Sequence, residues 1–268
     1  MKYSLINKIY NLPYSNLLTG FIKKRLLKKN NITFIPTNKK KLPKKNYPVQ
    51  NTIEYQEKII KSYNENKNVS FNTCPDLKKI LKENFKSDMV FNFLDFGGDK
   101  IDFFLDISKE FKNINYYLIN QSEVNEIISV IKDKYQYINL KILNNFEEVK
   151  KYSFDFVYFG STIQYLENYE EYINGILPIT KKNIFFSATW FFSIESSIKK
   201  VVVKQLNYLP HEFYLYFFNL KPFLNIFYKH QFVMKFEKIN NSYSCSFKNF
   251  EDMNLKDIKY TDILFEKN

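Results

Sequence analysis

The chain has 268 residues, enough for one large domain or one domain with an appendage, and is 45% hydrophobic and 19% aromatic. That composition supplies a sizeable core and argues against wholesale disorder. The formal charge of +12 lies wholly in residues 1–48, which hold twelve Lys and Arg and no acid, leaving 28 residues of each sign beyond them. A neutral body with a polycationic leader argues against a whole-domain nucleic-acid footprint, which would cluster cations on the folded face.

Only two cysteines, Cys74 and Cys245, and two histidines are present, in no ligand-type spacing. A structural zinc site, a disulfide framework and a histidine metal centre are therefore not expected. No apolar run approaches the ~18 residues needed to span a bilayer, and no secretory leader pattern is present. The expected compartment is a reducing cytoplasm.

The first segment carries Leu5, Ile6 and Ile9, then Leu17, Leu18, Phe21, Ile22 and Leu26 at helical spacing, with Pro13 between the two pieces. The second piece is basic on its other face. Such a helix suits an anionic membrane surface, which would place the protein peripherally at the inner membrane; the alternative is a helix docked on its own domain. Residues 36–48, with Pro36, Pro43, Pro48 and a Lys run, read as an extended linker. The leader and linker are thus assigned to 1–48 and the folded domain to 49–268.

Helical patterns follow over Asn51–Lys67 and Asp76–Phe85. Met89–Asp95 is then a short, almost continuously apolar run, as expected of a strand buried on both faces of a parallel sheet. Further strands are expected at Tyr116–Asn120, Tyr137–Leu143, Phe154–Phe159 and Asn183–Ala188, with helices at Ser122–Lys134 and Asn168–Leu177 between them. This alternation predicts right-handed βαβ units. Gln231–Lys238 and Lys259–Glu266 read as two last strands without a clear crossover helix. The fold class is therefore α/β: five parallel strands closed by an antiparallel pair. Residues 193–222 form an expected insertion on the acceptor side.

In open α/β sheets the ligand lies beyond the carboxyl ends of the strands, at the switch point in strand order. The residues placed there are Asp95-Phe96-Gly97-Gly98 after the first strand and Asn120 after the second. Asn144 and Asn145 follow the third, and Gly160-Ser161-Thr162 follow the fourth and lead into Ile163-Gln164-Tyr165-Leu166-Glu167. Glycine lets a turn swing tightly and approach a ligand without a Cβ in the way.

The pairing of L-D-F-G-G with S-T-I-Q-Y-L-E-N some 60–65 residues later resembles a small bacterial family within the class I S-adenosylmethionine (SAM)-dependent methyltransferases, often encoded in surface-polysaccharide loci. The resemblance covers about residues 50–268. It implies SAM as cofactor, with Asp95, Gly97 and Gly98 lining its methionine end. Asn120 stands in the place of a ribose-binding glutamate, and Ser161, Thr162 and Gln164 border the methyl-transfer site. Asn144 and Asn145 would meet the adenine edge, with Gly160 opening the fourth loop. Two departures stand out. No third glycine follows Gly98, and Asn120 replaces a carboxylate that would make stronger, charge-assisted bonds.

His211 and Tyr165 are candidate general bases for a hydroxyl acceptor. Trp190, Phe191 and Phe192, just past the fifth strand, have two readings, stacking on a ligand or packing in the core. The expected function is methyl transfer to a small-molecule or saccharide acceptor. The alternative is a non-catalytic scaffold or membrane-associated accessory protein with a degenerate cofactor site. An NAD-dependent Rossmann enzyme is disfavoured because the turn lacks G-x-G-x-x-G spacing.

Overall fold

A run of aromatic and β-branched residues cannot stay on one face of anything, so its stable place is the middle layer of a sandwich. The computed structural model describes residues 32–43, 52–65, 75–206, 212–240 and 245–268. The expected leader helix of residues 1–30 and the base candidate His211 lie outside the described residues. Five strands form the parallel part of the sheet: β2 (Phe91–Phe96), β3 (Ile114–Ile119), β4 (Leu140–Leu143), β5 (Phe154–Gly160) and β6 (Thr180–Ser193). Two more, β9 (Phe232–Ile239) and β11 (Lys256–Lys267), complete it, with β11 antiparallel to both β6 and β9. The order across this part is β4-β3-β2-β5-β6-β11-β9. The order reverses between β2 and β5, which fixes the switch point. The expected five parallel strands and closing pair are all present.

Side chains on β2 alternate between two cores. Phe91 and Phe93 join a cluster covered by α1 (Ile53–Asn64), α2 (Pro75–Asn84), α3 (Ile101–Glu110) and α4 (Ser122–Tyr135). Leu94 and Phe96 join the opposite cluster, with Val149 of α5 (Phe146–Val149), Ile173 and Ile176 of α6 (Tyr169–Ile176), and Phe223 and Phe227 of α7 (Leu220–Tyr228). Helix α7 is the element not expected before the closing pair. Its apolar stripe, Leu220, Phe223, Leu224 and Phe227, spans only about two turns and runs straight on from strand residues, and Pro222 is tolerated in its first turn.

Strand β6 is 14 residues long, far longer than its parallel neighbours. Its far end, at Phe191 and Phe192, pairs in parallel with β8 (Glu212–Asn219). Strand β8 forms an antiparallel hairpin with β7 (Lys200–Leu206) inside the segment 193–222. Strand β1 (Ile32–Pro36) adds antiparallel to β7, and β10 (Cys245–Phe247) adds parallel to β1. Residues 32–36, expected within the leader, are thus part of the sheet. Ile32, Thr33 and Ile35 are strand formers whose signal is short and flanked by lysines. Leu42, expected in the linker, is packed into the core beside α6 and β8.

One buried side chain organises the approach to α3. Gln56, 0% exposed, donates from Nε2 to the Asp99 carbonyl at 3.0 Å and accepts from the Ile101 N–H at 2.9 Å. The Ncap residue Lys100 provides no side-chain cap, so Gln56 of α1 satisfies this helix start from another element. Gln56→Leu removes both partners and is expected to lower unfolding free energy by ~2–6 kcal/mol, at ~1–3 kcal/mol per orphaned group. Urea denaturation checks this; a loss indistinguishable from that of a surface substitution would rule out the capping role.

Candidate functional site

The turn after β2 is held by close packing that only glycine allows. Gly97 has φ +93°, and a Cβ there would lie 2.3 Å from the Thr162 side chain. Its N–H donates to the Ile119 carbonyl at 2.7 Å. A Cβ on Gly98 would lie 2.1 Å from Asp95 Oδ2. The loops after β2 and β5 therefore touch across the switch point, with Thr162 directly on Gly97. Thr162 Oγ1 donates to the Gly160 carbonyl at 3.0 Å, which keeps the hydroxyl turned back on its own loop.

Asp95 is 2% exposed and accepts a 2.7 Å hydrogen bond from the Tyr116 hydroxyl. Burial pushes its carboxyl up to about 7; the Tyr116 bond opposes this, and the like charges of Asp99 and Asp102 add to it. Beside it on the same face of the sheet, the Tyr158 hydroxyl and Ser187 Oγ share a hydrogen bond of 2.8 Å. The Tyr158 ring stacks on Phe103 at 5.1 Å.

Asn120 does not point away from the protein. Its Nδ2 donates to the carbonyls of Gly97 (3.0 Å) and Gly98 (2.9 Å), and its Oδ1 accepts from the Gln121 N–H at 2.7 Å. It braces the turn, a task that needs a donor and that a carboxylate cannot perform. Asn145 is the N-cap of α5, accepting from the Glu148 N–H at 2.9 Å, and Glu148 reaches back to the Asn144 N–H at 2.8 Å. The pair resembles a capping box, displaced so that Glu148 meets the N–H of the residue before the N-cap.

Ser161 adopts φ 54°, donates its N–H to the Ser187 carbonyl at 2.9 Å, and accepts from Gln164 Nε2 at 3.1 Å. Gln164 is 1% exposed and accepts at Oε1 from the Trp190 N–H at 3.1 Å. It fills the wedge where β6 and β8 separate, supplying a partner that the ladder does not. Tyr165 donates its hydroxyl to Gln205 Oε1 at 3.4 Å, with its ring against the cluster of the added sheet. Trp190 stacks on Phe217 at 5.1 Å, and Phe191 and Phe192 are buried, so these three pack the core. Among the described residues no group of His, Cys, Asp and Glu is arranged to hold a metal ion.

Glu167, named above only as part of a motif, joins distant parts of the chain. It accepts from the Leu42 N–H at 2.7 Å and from the Tyr216 hydroxyl at 2.5 Å. Burial raises its carboxyl, but the Tyr216 and Leu42 bonds and the charges of Lys200 and Lys41 hold it below the usual carboxylate range. It ties residues 37–42 to the loop after β5. A contact 125 residues apart leaves no local signal.

No protein-family model matches this sequence, and no curated protein does. Solved structures do match its fold. The N-terminal domain of EvdMO1, crystallised in the presence of SAH and D-fucose, superposes with a TM-score of 0.52 at 8% identity, covering 81% of this chain and 98% of that one. A protein from Galdieria sulphuraria, proposed as a sarcosine dimethylglycine methyltransferase, gives 0.50 at 10% identity over 72% of this chain and 84% of its own. The [4+2]-cyclase SpnF gives 0.50 at 12% identity over 72% and 80%. The fold is the Rossmann-like sheet of SAM-dependent methyltransferases. A cyclase among its neighbours means that the fold alone does not choose the reaction.

The raised Asp95 carboxyl has a stability consequence. Its folded-state value, about 7, lies above the ordinary 3.8, so the contribution is present at low pH and is lost as pH rises from the ordinary range through about 7. Asp95→Asn retains the acceptor for Tyr116 and never ionises. Its stability relative to wild type, followed by the thermal midpoint, should rise between pH 5 and pH 8, with an upper bound of ~3 kcal/mol. A difference that does not change with pH would show that Asp95 ionises freely.

Proposed function

We propose that this chain is a SAM-dependent methyltransferase acting on a small-molecule or saccharide acceptor, within surface-polysaccharide biosynthesis. The observation that carries this reading is the meeting of the Asp95–Gly98 turn with the Ser161–Gln164 loop at the switch point of a β4-β3-β2-β5-β6-β11-β9 sheet. In this reading the backbone of Gly97 and Gly98 faces the cofactor, while Asp95, 2% exposed and bonded to Tyr116, supports the turn from beneath. The side chains of Asn120, Asn144, Asn145 and Gln164 are engaged within the chain, so backbone groups at 97–98 and 160–162 would carry the remaining contacts. SAM supplies an already activated methyl group, and the protein's task is to orient the acceptor and exclude water. For a hydroxyl acceptor, Tyr165 and His211 are the candidate bases. EvdMO1 was crystallised with D-fucose present, which supports trying saccharides first.

A second reading is favoured by the same hydrogen bonds. Asn120 spends its donors on the turn and Thr162 covers Gly97, as expected of a scaffold with a degenerate cofactor site. Isothermal titration separates the two readings. An enzyme should give heat with SAM and a raised thermal midpoint, and Gly97→Arg should abolish both. Absence of either response at millimolar SAM would leave the scaffold reading.

Asn120→Asp provides a finer test. A ribose ligand would bind more tightly as a carboxylate. A turn brace would instead lose two donors and place charge against two carbonyls, so the variant should be destabilised by ~1–3 kcal/mol and bind SAM no better. Tighter SAM binding without loss of stability would overturn the brace.

A further inference from the structure

The opposite end of the parallel sheet has its own construction. There, four loops enter β4, β3, β2 and β5 side by side, and neighbouring strands about 4.8 Å apart place them within about 14 Å of each other. Asparagine side chains tie these loops together. Asn139 Nδ2 donates to the Lys112 carbonyl at 3.0 Å, Asn113 Nδ2 to the Asp88 carbonyl at 2.8 Å, and Asn92 Nδ2 to the Ser153 carbonyl at 2.8 Å. Asn115 Nδ2 closes the row on Asn92 Oδ1 at 2.9 Å. This row of side-chain bonds fixes the backbone of every loop and leaves their tips projecting.

The tips carry aliphatic side chains that the fold has no use for. Ile138 is 90% exposed, Val90 64% and Met89 46%. Around them stand Lys86, Lys112 and Lys151, all exposed and none in an ion pair with a described residue. Of the acids nearby, Asp155 is engaged by Lys181 at 3.6 Å and by the Asn92 N–H at 2.8 Å, and Glu110 by Lys82 at 2.8 Å, leaving Asp88 exposed. Apolar tips ringed by cations match a surface that is anionic at its boundary and apolar just beneath it.

We infer that this end of the sheet docks on an anionic lipid surface, inserting Ile138, Val90 and Met89 among the headgroups while Lys86, Lys112 and Lys151 meet their charge. A cleft lined by Lys86, Asp88, Glu110 and Phe111 opens beside the tips, but it carries both signs of charge, and Ile138, Val90 and Met89 lie outside its lining. Projecting tips can enter a fluid interface without shape complementarity. The leader, with twelve cations and no acid, adds attraction of the same sign. Docking in this way turns the Gly97–Thr162 crevice away from the bilayer, toward solvent. The inference is independent of the methyl-transfer reading.

The chain has a single tryptophan, Trp190, only 7% exposed, so a second one reports cleanly on its surroundings. The full-length Ile138→Trp variant is mixed with vesicles of phosphatidylglycerol and phosphatidylcholine in equal parts, with brominated acyl chains. Its emission should shift to the blue and be quenched, while wild-type emission is unchanged. Lys112→Gln combined with Lys151→Gln should weaken co-sedimentation with unbrominated vesicles about 25-fold, taking about fivefold per cation near the surface. Lys221→Gln, at the other end of the sheet, should leave it unchanged. Co-sedimentation without quenching would assign binding to the leader alone and overturn the proposal. So would failure to bind anionic vesicles, whether or not the protein binds polyglutamate as a stand-in for an acidic protein partner.

Discussion

The architecture around the switch point depends on one steric constraint, the absence of side chains at Gly97 and Gly98. Thr162 occupies the space that a Cβ on Gly97 would take, and the Asp95 carboxylate occupies that of Gly98. The loops after β2 and β5 can therefore lie against each other, and Asp95 can stay buried beneath the turn with Tyr116 as its partner. Any side chain at either position would have to displace one of these groups. In a domain with few glycines, the two in this turn are fixed by contact as much as by backbone conformation.

The second organising feature is the length of β6. A strand that continues past its parallel neighbours exposes backbone groups that need partners. The hairpin of β7 and β8 supplies some of them, and β1 and β10 extend the result sideways. Where β6 and β8 separate, Gln164 enters the gap and accepts from the Trp190 N–H. Glu167, three residues on, binds Leu42 and Tyr216. The loop after β5 is thus joined at once to the main sheet, to the added sheet and to the chain segment that precedes the domain. A shift of that loop at the crevice would be felt in all three.

The main sheet was legible in the sequence because parallel strands buried on both faces leave short, almost continuously apolar runs such as Met89–Asp95 and Phe154–Phe159. The turn was legible because glycine pairs are rare in this chain. What could not be read follows from distance and ambiguity. The strand Ile32–Pro36 is short and flanked by lysines, and its partners lie over 160 residues away. Helix α7 has an apolar stripe, Leu220, Phe223, Leu224 and Phe227, but it is short and continues directly from the aromatic run of β8. The roles of Asn120, Asn145 and Gln164 were legible as position but not as bonding, since an amide beside a crevice can face a ligand or its own backbone with equal chemical ease. Gln56 carried no signal at all, because a glutamine on a helical face looks solvated until its partner helix is known.

The two departures from a typical methyltransferase turn, the missing third glycine and the asparagine after β3, are one feature physically. With Asp99 and Lys100 leading into α3, the carbonyls of Gly97, Gly98 and Asp99 need donors, and the N–H of Ile101 needs an acceptor. Asn120 serves the first two carbonyls and Gln56 serves the other two groups. A carboxylate at 120 would have no hydrogen to give and would set its charge against the carbonyl dipoles. It would also stand near the buried Asp95, whose ionisation is already disfavoured. The neutral amide is therefore required by the turn as built, whatever ligand the crevice accepts. In this turn position 120 is committed to holding the backbone, and its amide is explained by that task alone.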